Sequence, residues 1–262
     1  MTHPVNAAAD FEDLVPDTML NAVECATGRR MTGLAHPLPS YINRVYEVED
    51  EAGERLIAKF YRPGRWSKAA LQDEHDFVLA CSADEIPVIA PLVMDNGETL
   101  HEDNGIYFTV FPKRFGRKFE ANSDEDWRRI GSLLGRVHAV GARQEAGART
   151  DLHPAESTET HIDHLLDNEI VTPKYEQAFE EITDSIMDMI LDLFDDAEFI
   201  RIHGDCHGGN LLDRPGEGIM IIDFDDMMMG PPVQDLWMLL PDAAEKCRRE
   251  FNLVLSGYEQ FR

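Results

Sequence analysis

Apolar residues recur along this chain with two different spacings, and the change of spacing divides it. In the first part they come in short runs rich in Tyr, Ile, Val and Phe. Tyr41–Val48 and Arg55–Tyr61 flank the acidic, glycine-containing stretch Glu49–Glu54, which predicts a β-hairpin. Pro63 and Gly64 end it. Ser67 stands where it can cap a helix over Lys68–Ala80, with Leu71, His75, Val78 and Leu79 near one face. Two more strands are expected at Glu98–Leu100 and Ile106–Phe111, around a polar turn at Asp103–Gly105. Ahead of all these, a short helix is expected near Asp17–Thr27, then a turn around Gly28–Pro39.

From Asp124 the spacing lengthens to three and four residues. Trp127, Ile130, Leu133, Leu134 and Val137 trace one face of a helix over Asp124–Val140, ended by Gly141. Further helices are expected near Ile162–Leu166 and over Tyr175–Phe194. Short strands follow at Phe199–His203 and Gly218–Asp223, and helices at Asp235–Leu240 and Glu245–Tyr258 close the chain. The pattern describes an α+β protein with a small β-rich N-terminal lobe, residues 1–112, and a larger helical C-terminal lobe, residues 113–262. Pro112–Phe119 is the expected crossing between them.

Composition narrows the class. With 43% hydrophobic and 28% charged residues in 262, the chain is globular. Its 24 basic and 50 acidic residues give a net charge of −26, which repels nucleic acid and anionic membranes, so neither is expected as a partner. No apolar run approaches the roughly 18 residues of a membrane span, and the opening Met1–Asp10 lacks the basic start and apolar core of a signal peptide. Cys25, Cys81, Cys206 and Cys247 are scattered without a CxxC, the usage of a cytoplasmic protein with reduced thiols.

The densest chemistry lies in Ile202–Leu212 and Ile221–Asp226. Asp205 and Asn210 have the D-x-x-x-x-N spacing of a kinase catalytic loop, and Asp223 opens an Asp-Phe-Asp after an apolar strand. In that chemistry Asp205 orients and deprotonates an attacking hydroxyl, while Asn210 and Asp223 offer hard oxygen ligands to Mg²⁺. Lys59, in the strand Leu56–Tyr61, occupies the position of the lysine that pairs with ATP phosphates. Glu74, fifteen residues on, is its best partner on the inserted helix. The hairpin Ser40–Tyr46 lacks a G-x-G-x-x-G, so Ser40 and Asn43 are the candidate phosphate donors there. His203 is read as a brace of the loop, Met227–Met229 as a flexible apolar surface or core filler, and Asp235 as a cap or loop anchor rather than a third metal ligand.

On these residues the chain resembles the aminoglycoside-phosphotransferase and choline-kinase group of protein-kinase-like enzymes, through HGDCHGGN, IIDFDD and GPPVQDLWMLL. PLPSYINRVYEV, IAKFYRPGRWS, DEHDF and LGRVHAVGAR bring it closest to the bacterial stress-response kinases within that group, over Pro37–Arg262. The resemblance implies a bilobal kinase fold and a monomeric, cytoplasmic serine/threonine protein kinase using ATP and Mg²⁺. It implies Asp205 as proton acceptor, Asn210 and Asp223 as metal ligands and Lys59 as nucleotide lysine. Ser40 falls on a nucleotide-contacting serine that is also a candidate for autophosphorylation. Members of that branch run some tens of residues past this end, so Arg262 is expected not to be a natural terminus. Only eleven residues separate Asp223 from Asp235, and Gly230-Pro231-Pro232 stands where a protein kinase carries a long activation segment. By itself that shortness favours a small hydroxylated amine or sugar as acceptor. The whole-chain resemblance favours a protein, and decides narrowly for it. A nucleotide-binding pseudokinase is the reading that an intact Asp205, Asn210, Asp223 and Lys59 set opposes.

Overall fold

The computed structural model describes residues 10–12, 14–94, 96–214 and 216–262. The opening Met1–Ala9, whose composition argued against a signal peptide, lies outside them. In chain order the elements begin with α1 (Pro16–Thr27), β1 (Met31–Leu38), β2 (Arg44–Asp50), β3 (Arg55–Phe60) and α2 (Lys68–Ala83). There follow β4 (His101–Asp103), β5 (Ile106–Pro112), β6 (Arg117–Lys118), α3 (Asp124–Gly141), α4 (Glu159–Asp167) and α5 (Glu176–Leu191). The last are β7 (Ile200–Ile202), β8 (Leu211–Arg214), β9 (Gly218–Ile221), β10 (Met228–Gly230), α6 (Val233–Trp237) and α7 (Arg248–Tyr258). They fall into two compact units: Met1–Arg117 with Leu212–Ile222, and Lys118–Leu211 with Asp223–Arg262. The first is β-rich and the second helical, the two parts expected of an α+β kinase-like fold.

In the first unit five antiparallel strands form one sheet in the order β1-β2-β3-β5-β4. Alternate residues of the central strands (Leu56, Ala58 and Phe60 on β3; Ile106, Phe108 and Val110 on β5) face Met19, Ala22 and Val23 of α1 and form its core. Phe60 and Phe108 stack with ring centroids 5.0 Å apart. Ser67 caps α2 as expected, its Oγ accepting from the Ala70 amide at 3.1 Å. β8 and β9 pair as neighbouring strands, and the Ile221 amide donates to the Pro87 carbonyl at 2.9 Å.

Two expectations are corrected here. Gly28–Pro39 is not a turn region but contains β1, an edge strand, where glycine and proline are tolerated because one side of the backbone needs no partner. Its register slips between Met31 and Ala35, the bulge that Gly33 permits at φ 92°. The fourth strand is His101–Asp103 rather than Glu98–Leu100. Glu98 is held in a turn instead, its amide donating to Asn96 Oδ1 and its carbonyl accepting from the Met94 amide.

In the second unit α3 opens with a capping box in which Ser123 Oγ accepts from the Asp126 amide and Asp126 Oδ2 accepts from the Ser123 amide. Its buried face meets α7 along glycines. A Cβ on Gly131 would lie 1.9 Å from the Val254 carbonyl oxygen, and one on Gly257 would lie 2.0 Å from that of Arg128. Backbone therefore packs on backbone. Among the described residues no helix is long and apolar enough to cross a membrane.

The glycine seam is testable. Gly257→Ala puts a methyl into the α3 backbone, and it is expected to lower stability by about 1–3 kcal/mol, read as a fall in the urea midpoint. Gly147→Ala, with open space around its Cβ position, is the control and should change stability by less than about 0.5 kcal/mol.

Candidate active site

The loop after β7 is built around one buried carboxylate. Asp235, in the only full turn of α6 and fully buried, accepts the His203 amide on Oδ2 at 2.7 Å and the Gly204 amide on Oδ1 at 2.9 Å. His138 Nε2, from α3, lies 3.0 Å from the same Oδ2. Burial pushes the Asp235 carboxyl upward, but the His138 bond and the His138 and His203 rings outweigh it and hold the group below its ordinary value. Gly204 has φ 84°, and a Cβ there would sit 2.0 Å from the Asp226 carbonyl oxygen. No other residue type fits that approach.

Held this way, the loop turns so that His203 Nδ1 accepts the Asp205 amide at 3.3 Å. His203 thus braces the loop, as its sequence position suggested. Asn210, 8% exposed, donates from Nδ2 to the Asp205 carbonyl at 2.9 Å and to its carboxylate Oδ2 at 3.3 Å. With its amide hydrogens committed to Asp205, Asn210 keeps only Oδ1 for a cation. His207 Nε2 stands 3.6 Å from Asp205 Oδ2. Cys206 is buried, and burial together with Asp235 and Asp205 pushes its thiol well up, which removes it as a nucleophile.

Asp223 sits in the same unit with φ 63°, a left-handed conformation rare for a side-chain-bearing residue. Phe224 follows with its ring 4.5 Å from that of His203. The stretch beyond is stitched on both sides. β10 pairs with β7, the Met229 amide donates to the Thr150 carbonyl (3.1 Å), and the Leu152 amide donates to the Met229 carbonyl (2.7 Å). Arg149, buried, donates to the carbonyls of Asp225 (2.8 Å) and Met227 (3.3 Å). Met227 and Met229 are buried, which favours core filler over the flexible surface also allowed by the sequence.

The remaining candidates lie in the first unit. Lys59 projects from β3, between Val45 of β2 and Thr109 of β5, and its ammonium is 3.8 Å from Glu74 Oε1 on α2. Both are nearly inaccessible, and the ammonium also lies 5.1 Å from the Tyr61 ring centroid. The Tyr61 hydroxyl donates to Glu74 (3.3 Å) and meets His75 Nε2 (2.9 Å), while His75 Nδ1 meets Thr99 Oγ1 (2.7 Å). A carboxylate only accepts, so the direction of this chain is set: His75 donates to Tyr61 and receives from Thr99. Asn43 is buried in the β1–β2 loop, its Oδ1 accepting the Arg62 amide at 3.0 Å, while Ser40 is exposed in the same loop. Asp205, Asn210 and Asp223 therefore share one unit, and Ser40, Asn43, Lys59 and Glu74 the other.

Sequence reasoning missed three contributors. His138 belongs to the anchor 97 residues before Asp235, and its Nδ1 lies 3.0 Å from the hydroxyl of Tyr258, 120 residues after it in sequence. A histidine on the buried face of an amphipathic helix was the one available signal for the first. Tyr258 and Arg149 carried none. Among the described residues no three His, Cys, Asp or Glu side chains converge on a cation site. A metal held through Asn210 and Asp223 therefore has to complete its shell from phosphate and water, the usual habit of Mg²⁺.

The phosphotransferase enzyme family model (APH) matches residues 35–260. Stress response kinase A of Escherichia coli strain K12 is 38% identical over 257 residues, 98% of this chain and 77% of that protein. Serine/threonine protein kinase RdoA of Salmonella typhimurium strain LT2 is 36% identical over 254 residues, 97% and 76% of the two chains. Among solved structures, amicoumacin kinase hAmiN in complex with AMP-PNP, Ca²⁺ and Ami aligns with a TM-score of 0.76 at 20% identity, covering 94% of this chain and 78% of that one. Spectinomycin phosphotransferase APH(9)-Ia, with ADP and spectinomycin, aligns with a TM-score of 0.64 at 15% identity over 98% and 80%. At these identities the structures establish the fold.

Two stability measurements check the geometry. Asp223→Gly should be more stable than Asp223→Ala by about 1–2 kcal/mol, because both lose the side-chain contacts and only alanine strains the left-handed backbone. Glu74→Ala removes the carboxylate 3.8 Å from the buried Lys59 ammonium and is expected to cost about 3–5 kcal/mol, whereas Glu74→Leu with Lys59→Met should recover most of that loss. Urea unfolding of the four variants and the unaltered protein measures both differences.

Proposed function

The chain belongs to the APH phosphotransferase enzyme family, and on that premise we propose that it transfers the γ-phosphate of ATP to a hydroxyl group with Asp205 as proton acceptor. The observation that carries this reading is the Asp205–Asn210 pair on a loop fixed by Asp235. Asn210 steadies Oδ2 of the Asp205 carboxylate, which is 35% exposed and so within reach of an incoming hydroxyl. Lys59, oriented by Glu74, serves the nucleotide phosphates, and Ser40 and Asn43 serve as their donors from the β1–β2 loop. Asn210 Oδ1 and Asp223 would hold Mg²⁺. When bound, that cation offsets charge on the transferred phosphoryl group. The AMP-PNP and Ca²⁺ of the amicoumacin kinase complex and the ADP of the spectinomycin enzyme support nucleotide and divalent-cation use on this fold.

For the acceptor, the geometry favours a small hydroxylated molecule, reversing the order expected from the sequence. A peptide acceptor needs a docking platform after the metal-binding Asp. Here that stretch is consumed by β10, by its bonds to Thr150 and Leu152, and by Arg149. The solved neighbours named for amicoumacin, spectinomycin and aminopropanol kinases lean the same way. A second reading, transfer to Ser or Thr of a protein within a stress response, rests on a separate observation. Relatives at 36–38% identity over nearly the whole chain carry the names stress response kinase A and serine/threonine protein kinase. Either reading fits a cytoplasmic monomer, where ATP is available and the four cysteines stay free.

Transfer of labelled γ-phosphate, measured with and without Mg²⁺, tests the proposal. Asp205→Asn is expected to lower kcat by about 10²–10⁴-fold, and chelation of the metal to abolish turnover. A panel of amino alcohols and aminoglycosides, run beside a generic basic protein, separates the acceptors. Label confined to a small alcohol supports the first reading. Label on protein Ser or Thr, absent in Asp205→Asn, moves the assignment to the second. No turnover of any acceptor by the unaltered protein would sink both.

A further inference from the structure

The anchor under the catalytic loop does not stop at His138. Its Nδ1 is 3.0 Å from the Tyr258 hydroxyl, and the charge of the Arg262 guanidinium, which pairs with Glu198 at 2.5 Å, acts on that hydroxyl in turn. All of these residues lie in the second unit. His138 and Asp235 are fully buried, and Tyr258 is buried at 8% exposure.

Donors and acceptors run one way along this line. The Asp235 carboxylate already takes two backbone amides, so it can only accept from His138, and His138 Nε2 must carry the hydrogen. In the neutral ring, His138 Nδ1 is then an acceptor and needs a donor. The Tyr258 hydroxyl is the group in place. Burial pushes the Tyr258 hydroxyl up to about 12, with the guanidinium acting against the rise and Glu198 and Asp235 adding to it, so the donor keeps its proton. Gly131, Gly135 and Gly257 let α7 approach α3 closely enough for the hydroxyl to arrive, since a Cβ on Gly135 would lie 2.6 Å from the Tyr258 carbonyl oxygen.

We propose that Tyr258 is a positioning residue for phosphoryl transfer, fixing the His138 tautomer that holds Asp235 and, through it, the backbone of the loop carrying Asp205. The inference rests on the assignment of Asp205 as proton acceptor, but its physical core is independent of that assignment. Removing the hydroxyl leaves a buried imidazole nitrogen without its donor. The penalty falls on the His203 and Gly204 amide bonds rather than on nucleotide binding.

Tyr258→Phe tests this in the full chain. It is expected to lower kcat up to about tenfold, the worth of one hydrogen bond in the loop's alignment, with KM for ATP within about twofold. Two readouts separate positioning from plain destabilisation. Amide exchange at His203 and Gly204 should accelerate while α2 and β3 amides stay protected, and the ¹⁵N shifts of His138 should leave the pattern of the Nε2–H tautomer. Unchanged exchange, tautomer and kcat in Tyr258→Phe overturn the proposal. So does a uniform loss of protection across the second unit with KM rising in step, because the tyrosine is then only packing. If the unaltered protein transfers no phosphate, the catalytic assignment fails, and the exchange and tautomer data still decide the relay.

Discussion

Two backbone amides donating to one buried carboxylate set the shape of the second unit's chemistry. Asp235 is fully buried, so it persists as an anion only while its oxygens are filled, and the groups that fill them are the His203 and Gly204 amides and His138. The turn that follows depends on that capture. Gly204 lies against the Asp226 carbonyl, His203 receives the Asp205 amide, and Asn210 closes back on Asp205. The strained φ of Asp223 belongs to the same economy: rigid surroundings hold a conformation that the residue alone would leave.

The first unit solves a different problem, that of keeping a lysine charged inside a sheet. Lys59 has strand neighbours on both sides and 7% exposure, and an anion and an aromatic face lie beside its ammonium. Glu74 provides the first and Tyr61 the second. The chain Tyr61–His75–Thr99 ties the carboxylate's neighbour to the β4 side of the sheet, so that α2 is oriented by polar contacts as well as by Leu71 and Val78.

What could be read from sequence follows the range of the interactions. α3 announced itself through Trp127, Ile130, Leu134 and Val137 because its period and its cap are local, and it ran Asp124–Gly141. The hairpin of β2 and β3 was equally local. β1 escaped because Gly33 and Pro37 are breakers everywhere except on an edge, and edge status is a property of the assembled sheet. β8 and β10 escaped because three or four residues carry no period. Of the candidate site, Asp205, Asn210 and Asp223 could be proposed from spacing along one short stretch, and Asp235 as a loop anchor from its place ahead of Leu236-Trp237. His138 and Tyr258 could not, since pairing at separations of 97 and 120 residues leaves no mark in either neighbourhood.

The glycine-lined crossing of α3 and α7 has an evolutionary consequence. Most helix pairs meet through side chains, which drift gradually, one methyl at a time, with neighbours adjusting. Here the two main chains touch, so there is nothing to trim and no partial compensation available. A change on either helix therefore presses directly on the main chain of the other, and the two helices fit as a pair. A graft of α7 from a distant relative would therefore succeed only if its own α3 travelled with it.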